Sequence, residues 1–337
     1  MHTEHANDSK PPIGRLAPSP TGYLHLGNAW AFLLAWLAAR AGDGSIMLRM
    51  EDIDPDRSRP HFAEAILRDL HWLGLNWDDG PDIGGPHAPY VQSQRSEYYA
   101  AALHQLTGQG HTYPCYCTRK ELRTLAAAPH VGDAGAPYPN TCRSLSPAQR
   151  TAQEQAGRRA TLRLRCPDEA HVDFIDGIQG PQHMRLHDCG GDFALRRSDG
   201  VIAYQLAVVV DDALMGVSQV VRGDDIRIST PRQMLLHALL GSPIPAYAHL
   251  PLLLDHTGER LAKRHASLSL GALREAGVQA TAIVGYLGYR AGFLPRPARC
   301  TPHQLLGAFN LQKIPQASVS LPEHLQNCLL TLTDTLR

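Results

Sequence analysis

Residues 15–28 read Arg15-Leu-Ala-Pro-Ser-Pro-Thr-Gly-Tyr-Leu-His-Leu-Gly-Asn28. They place a cation, a Pro/Gly-bent loop, a histidine and a glycine-opened helix within fourteen residues. His25 stands where it can hydrogen-bond a phosphoryl oxygen. Gly27 lets a nucleotide approach the backbone closely, and the helix from Asn28 offers its positive N-terminal end. The chemistry this suits is activation of a carboxylic acid by ATP, in which a carboxylate attacks the α-phosphorus in line. No covalent nucleophile is needed. Two anions must be held together while charge on the phosphoryl oxygens is neutralised. Lys263, on a loop far along the chain, is a candidate to close over the phosphates. On its own, His-Leu-Gly-Asn is more often a capped helix with a surface histidine.

Other residue types point to an amino-acid pocket and a metal. Arg15 and Arg222 could meet a side-chain carboxylate and Glu51 an ammonium, although Arg15 is also a plausible strand-edge charge and Glu51 a loop acid. Cys115-Tyr-Cys117 is followed by Tyr138-Pro-Asn-Thr-Cys142. Two thiolates one residue apart, with a third on a returning segment, can form three corners of a tetrahedron. Free buried thiols explain this spacing as well as zinc does.

These groups need a scaffold. Ile13–Pro18 reads as a buried strand, Asn28–Ala41 as a helix capped by Gly42, Ser45–Glu51 as a second strand and Pro60–Gly74 as an amphipathic helix. That is the opening of a parallel α/β unit, with ligands at the carboxyl ends of the strands, where Pro18–Gly22 falls. Tyr113 to Asp192 reads as an insertion between two halves of a nucleotide fold. Gly200–Asp212 is expected to form a nearly continuous apolar strand closed by Asp211-Asp212. Pro231–Leu240 has helical spacing, Leu250–Leu254 reads as a short strand, and His256–His265 as a loop. From Leu268 the chain reads as helices.

The expected division is a flexible tail (1–12), a first catalytic half (13–112), the insertion (113–192), a second half (193–267) and a short helical region (268–337). The 337 residues carry 32 basic and 32 acidic side chains, for a net charge of zero. A protein that wraps a large phosphate surface usually has a basic excess, so contact with nucleic acid is expected to be local. Met1–Pro12 lacks the apolar core of a signal peptide, and seven cysteines without such a signal suggest reduced thiols. A cytoplasmic, monomeric protein with no membrane contact is the expectation.

The first motif closely resembles the first signature of class I glutamyl-tRNA synthetases. Gly258-Glu-Arg-Leu-Ala-Lys-Arg264 sits where that class carries Lys-Met-Ser-Lys-Ser. Arg260 replaces its first lysine, Ala262 its serine, and Lys263 is kept. Arg49-Met-Glu-Asp-Ile-Asp54, Ala203–Asp212 and Val221-Arg-Gly-Asp-Asp225 resemble glutamate-enzyme segments in the same order. The resemblance implies a Rossmann-like parallel sheet, glutamate contacts at Arg15, Ala17, Ser19, Glu51, Tyr204 and Arg222, and ATP contacts at His25, Gly27, Asn28 and Lys263. His25 and Lys263 would be the catalytic groups, and Mg2+ would accompany ATP. Pro-Ser-Pro-Thr-Gly, where glutaminyl enzymes have Pro-Glu-Pro-Asn-Gly, favours glutamate.

After Lys263 only 74 residues remain, so no anticodon-binding domain is expected. With the cysteine spacing and the eroded second motif, this layout resembles the glutamyl-queuosine tRNA(Asp) synthetases. Their zinc spacing implies one structural Zn2+ held by Cys115, Cys117, Tyr138 and Cys142 in an inserted acceptor-type subdomain. Water or His130 is the alternative to Tyr138. The implied reaction joins L-glutamate, through its adenylate and without tRNA, to queuosine at the wobble position of tRNA(Asp). Arg158, Arg159, Arg163 and Arg165 are candidate RNA contacts. Rival readings are a short glutamyl-tRNA synthetase, a non-catalytic glutamate or adenylate sensor, and a small-molecule ligase.

Overall fold

A computed structural model describes residues 10–118, 120–122, 138–261 and 266–334. The chain opens with β1 (Ile13–Leu16), α1 (Leu26–Arg40) and β2 (Ser45–Leu48), the two strands pairing in parallel with Leu16 opposite Leu48. Helix α1 is rich in Ala and Leu, contains no β-branched residue, and is capped by His25. It is buried nearly all round and packs on both strands. Close packing at its far end depends on small residues, since a Cβ at Gly14 would lie 2.9 Å from that of Ala39. The helix stops at Arg40 with Ala41 as its cap. The left-handed residue beyond it is Asp43, not the expected Gly42.

Helices α2 (Pro60–Trp72) and α3 (Ser96–Gly108) follow. The next segment changes character: β3 (Thr112–Cys115), α4 (Pro147–Gln155), β4 (Thr161–Leu164), β5 (His171–Asp176), β6 (Gly180–Arg185) and β7 (Ala194–Arg196). Here the pairing is antiparallel, in a β3-β4-β7 sheet and a β5-β6 hairpin.

Residues 200–212 correct the sequence expectation. They do not form a strand; Tyr204–Leu214 is a helix, α5. A short apolar run buried on every side has no helical periodicity to read, and its valines favour a strand locally. Leu206 to Asp212 are all buried, and α5 packs against α3 and α6 (Thr230–Leu240), so tertiary burial overrides that preference.

A second parallel unit, β8 (Gln219–Gly223), α6 and β9 (Ala246–Leu250), lies beside the first. Ser218 N donates to Ile13 O at 3.0 Å and Ile13 N donates to Ser218 Oγ at 2.9 Å, and α1 packs on β8 as well. The strand expected at Leu250–Leu254 is divided: β9 begins earlier, at Ala246, and β10 (Leu253–Leu254) pairs in parallel with β11 (Val319–Ser320). Between them run α7 (Leu270–Glu275), α8 (Ala280–Arg290) and α9 (Pro302–Leu305), and α10 (Leu325–Asp334) closes the described chain against α8. Among the described residues no helix is long and apolar enough to cross a membrane.

Candidate active site

The ends of β1, β2 and β8 and the start of α1 surround a cavity of about 470 Å³. Its lining includes Arg15, Ala17, Ser19, His25, Gly27, Asn28, Glu51, Tyr204 and Arg222, every ATP and glutamate candidate within the described residues. Lys263 and His130 lie outside the described residues. Arg260, from the second motif, also lines the cavity and pairs with Asp225.

His25 caps α1 reciprocally. Its Nδ1 accepts from Gly27 N at 3.1 Å, while Asn28 Oδ1 accepts from His25 N at 3.0 Å. In the neutral ring the proton is therefore on Nε2, which makes that atom the donor. Gly27 has a packing reason to be glycine. A Cβ there would lie 2.9 Å from His25 Cε1 and push the ring from its cap.

Beneath the pocket lies a buried charge network. Arg49 donates to Glu51 Oε1 at 3.0 Å and to Asp212 Oδ1 at 2.8 Å, with Nε 3.6 Å from Asp211 Oδ2. Arg15 Nε stands 3.5 Å from Asp212 Oδ1. Asp211 accepts from Arg95 Nε at 2.7 Å, Gln92 Nε2 at 2.8 Å and Tyr99 Oη at 2.9 Å. Burial opposes charge on Asp212, yet Arg49 and Arg15 hold it below the usual carboxylate range. For Glu51 burial prevails over the same two arginines and raises its pKa. An incoming ammonium would add to the positive charge of Arg49 and Arg15 and oppose that rise.

Sequence reading named Glu51 and Arg15 but missed Arg49, Arg95, Asp211 and Asp212 as one unit. Its signal was available: two adjacent acids in an apolar run must find buried cations. The helical geometry of α5 lets both point into the core; a strand would send them to opposite faces.

Arg222, at the end of β8, is buried and held by three donated bonds. They run from Nη1 to Gln233 Oε1 at 2.7 Å, from Nη2 to Thr230 Oγ1 at 2.7 Å, and from Nε to His249 Nε2 at 3.1 Å. These account for three of its five N–H groups, with one further N–H on each Nη. Tyr204 sits within the fields of Arg222, Glu51 and Arg15, and burial raises its phenol pKa.

The cysteine candidates also converge. Cys117 Sγ is 3.6 Å from Cys142 Sγ, and Tyr138 Oη is 3.2 Å from Cys115 Sγ and 3.8 Å from Cys117 Sγ. The three sulfurs lie within 4.8 Å of one another and could hold a metal ion. Around a zinc with Zn–S of ~2.3 Å the sulfur–sulfur edge is about 3.8 Å, so the spacing fits. Cys166, Cys189 and Cys300 are buried and Cys328 is exposed. Burial pushes Cys166 up to about 12 and Cys300 up to about 11, so both are neutral thiols.

Three of the four arginines named as candidate RNA contacts are engaged by neighbouring side chains. Arg163 lies 3.9 Å over the Tyr138 ring, Arg165 5.0 Å over Tyr113, and Arg158 pairs with Glu121 at 3.1 Å.

A family model for the catalytic domain of class I tRNA synthetases (E and Q) matches residues 13–310. A protein of Nitratidesulfovibrio vulgaris named glutamyl-Q tRNA(Asp) synthetase is 60% identical over 309 residues, which make up 92% of this chain and 95% of that protein. The chain belongs to the glutamyl-Q tRNA(Asp) synthetase family. Like other class I synthetases, a member of this family is an ATP-dependent ligase with a parallel α/β catalytic fold. Similarity extends to a glutamate–tRNA ligase 2 of Acidithiobacillus ferrooxidans, 46% identical over 273 residues, 81% of this chain and 56% of that protein. The crystal structure of a glutamate tRNA ligase from Elizabethkingia meningosepticum in complex with its amino acid superposes with a TM-score of 0.80 at 26% identity. It covers 94% of this chain and 68% of that one.

Proposed function

We propose that this chain activates L-glutamate with ATP, without needing tRNA, and transfers it to the queuosine base at the wobble position of tRNA(Asp). The observation that carries the first step is the single cavity that gathers nine sequence-chosen groups. In the proposed ground state the side-chain carboxylate meets Arg15 and Arg222, and the ammonium meets Glu51 and Tyr204. Ala17 and Ser19 line the same loop. A pair of guanidinium groups disfavours glutamine, whose amide would leave positive charge unpaired.

The α-carboxylate attacks the α-phosphorus, a new C–O–P linkage forms, and pyrophosphate leaves with the bridging oxygen's electron pair. His25 donates Nε2–H to a phosphoryl oxygen as its charge grows. Asn28 holds the His25 backbone, Gly27 gives room, and Lys263 adds a point charge at the phosphates. Mg2+ arriving with ATP supplies further neutralisation. In the second step a hydroxyl of queuosine attacks the adenylate carbonyl, and AMP departs.

Queuosine as acceptor is supported by the name of the 60% identical relative and by a match that spans 95% of its length. Cys115, Cys117, Tyr138 and Cys142 would hold one zinc. With four protein ligands it would brace the insertion and leave no open position for catalysis.

The test supplies the enzyme with labelled glutamate, ATP and one of three acceptors: tRNA(Asp) with queuosine, tRNA(Asp) without it, or tRNA(Glu). Label confined to queuosine-bearing tRNA(Asp) is expected. Label on the 3′ end of tRNA(Glu) would establish the short glutamyl-tRNA synthetase instead, and absence of glutamate-dependent pyrophosphate exchange would establish a non-catalytic sensor.

A further inference from the structure

Behind Arg222 stands a polar relay that no pocket-lining residue reveals. Asp176 ends β5, at the tip of the β5-β6 hairpin. Its Oδ1 accepts from three backbone N–H groups: Gln179 at 2.9 Å, Ile178 at 3.0 Å and His249 at 3.0 Å. Its Oδ2 meets His249 Nδ1 in a short contact. Neither side chain has any solvent exposure.

An ionised carboxylate only accepts, so Nδ1 must carry the ring proton and Nε2 must accept. His249 Nε2 faces two donors, Arg222 Nε and the Thr230 hydroxyl, each at 3.1 Å. Burial drives the His249 pKa down to about 4 against the pull of Asp176. Asp176 stays at about 2, the bonds from His249 and the backbone overcoming its burial. At neutral pH the pair is thus carboxylate and neutral imidazole. Gln233 continues the order on the other side, accepting from Arg222 and donating to Gln205 Oε1 at 3.0 Å.

We infer that His249, oriented by Asp176, is a positioning residue that aims the Arg222 guanidinium at the substrate's side-chain carboxylate and so helps the enzyme select glutamate over glutamine. A carboxylate beside Arg222 would use its charge. A neutral imidazole accepts its Nε–H and leaves the charge for the ligand. The inference rests on the reading of Arg222 as a glutamate contact. It assigns part of the pocket's selectivity to a hairpin that does not line the pocket.

The variant that isolates the relay is Asp176→Asn. Its amide oxygen still accepts from the backbone N–H groups, but its NH2 faces Nδ1 and forces the other tautomer. Nε2–H then opposes Arg222 Nε–H. In tRNA-free pyrophosphate exchange with the full chain, KM for glutamate should rise about tenfold or more, with KM for ATP unchanged and the preference over glutamine reduced. His249→Ala should behave alike, and Asp176→Asn added to it should cost nothing more, because Asp176 acts through His249. His249→Gln, which offers an amide oxygen to Arg222, should recover most of the affinity.

An unchanged glutamate KM in Asp176→Asn, an equal rise in KM for ATP, or additivity with His249→Ala would overturn the inference. If Asp176→Asn does not fold, the two His249 variants decide: recovery by Gln relative to Ala supports it, and equal losses overturn it. Failure of the underlying reading looks different, as wild-type exchange indifferent to glutamate or Arg222→Ala with an unaltered glutamate KM.

Discussion

His25 joins two roles in one ring. Its Nδ1 caps α1, and that bond leaves Nε2 as the donor of the neutral ring. In the proposed mechanism that donor meets a phosphoryl oxygen, so the cap would orient the ring without using the working nitrogen. His25→Ala should lower the glutamate-dependent exchange rate by roughly 10²–10³, the usual cost of a preorganised donor to a developing oxyanion. Glutamate binding measured by calorimetry should remain near wild type. A comparable loss of glutamate affinity would show that His25 acts on the amino acid and not on the phosphates.

At the scale of elements, helix α5 matters most. It brings Asp211 and Asp212 under the pocket, where they join three arginines and Glu51. Buried networks of this kind are worth little as a sum but are costly to break, since the remaining charges lose their partners. Arg49→Met should cost about 3–5 kcal/mol, read as a lower urea midpoint. An unchanged midpoint would mean that Asp211 and Asp212 are satisfied without Arg49. The cysteine cluster beside β3 makes a separate prediction. Purified protein should carry one zinc by metal analysis, and Cys117→Ser should lose it together with thermal stability. Full zinc occupancy in Cys117→Ser would remove that residue from the ligand set.

Across the whole molecule, the hairpin and β9 are tied by a pair whose titration reports folding. His249 has a folded pKa of about 4 against 6.5 for a free histidine. Between those values the unfolded chain binds a proton that the folded chain refuses, so stability falls as pH drops from 6.5 to 4. Asp176, at about 2 in the fold against 3.8, adds a loss below that window as its carboxylate is protonated. The His249 contribution is of order 3 kcal/mol by linkage. Urea titrations at pH 7 and pH 5 should show the decline, and His249→Gln should flatten it. An equal slope in that variant would place the acid sensitivity in other groups.

The signature at residues 15–28, the order of the glutamate-like segments and the parallel β-α-β opening were legible in the amino-acid string. They depend on local rules: caps, glycine-permitted turns and apolar periodicity. The cysteine spacing was legible too, and folding brings its four side chains together. What the string could not decide was the state of residues 204–214, where uniform burial erases periodicity, and therefore how Asp211 and Asp212 are partnered. Nor could it place Asp176 behind Arg222. Those two residues are separated by β6, β7 and α5, and only the hairpin's packing against β9 brings them to the same histidine. Local sequence picked out the groups that line the cavity; tertiary burial, through the need to pair every buried charge, decided what holds those groups in place.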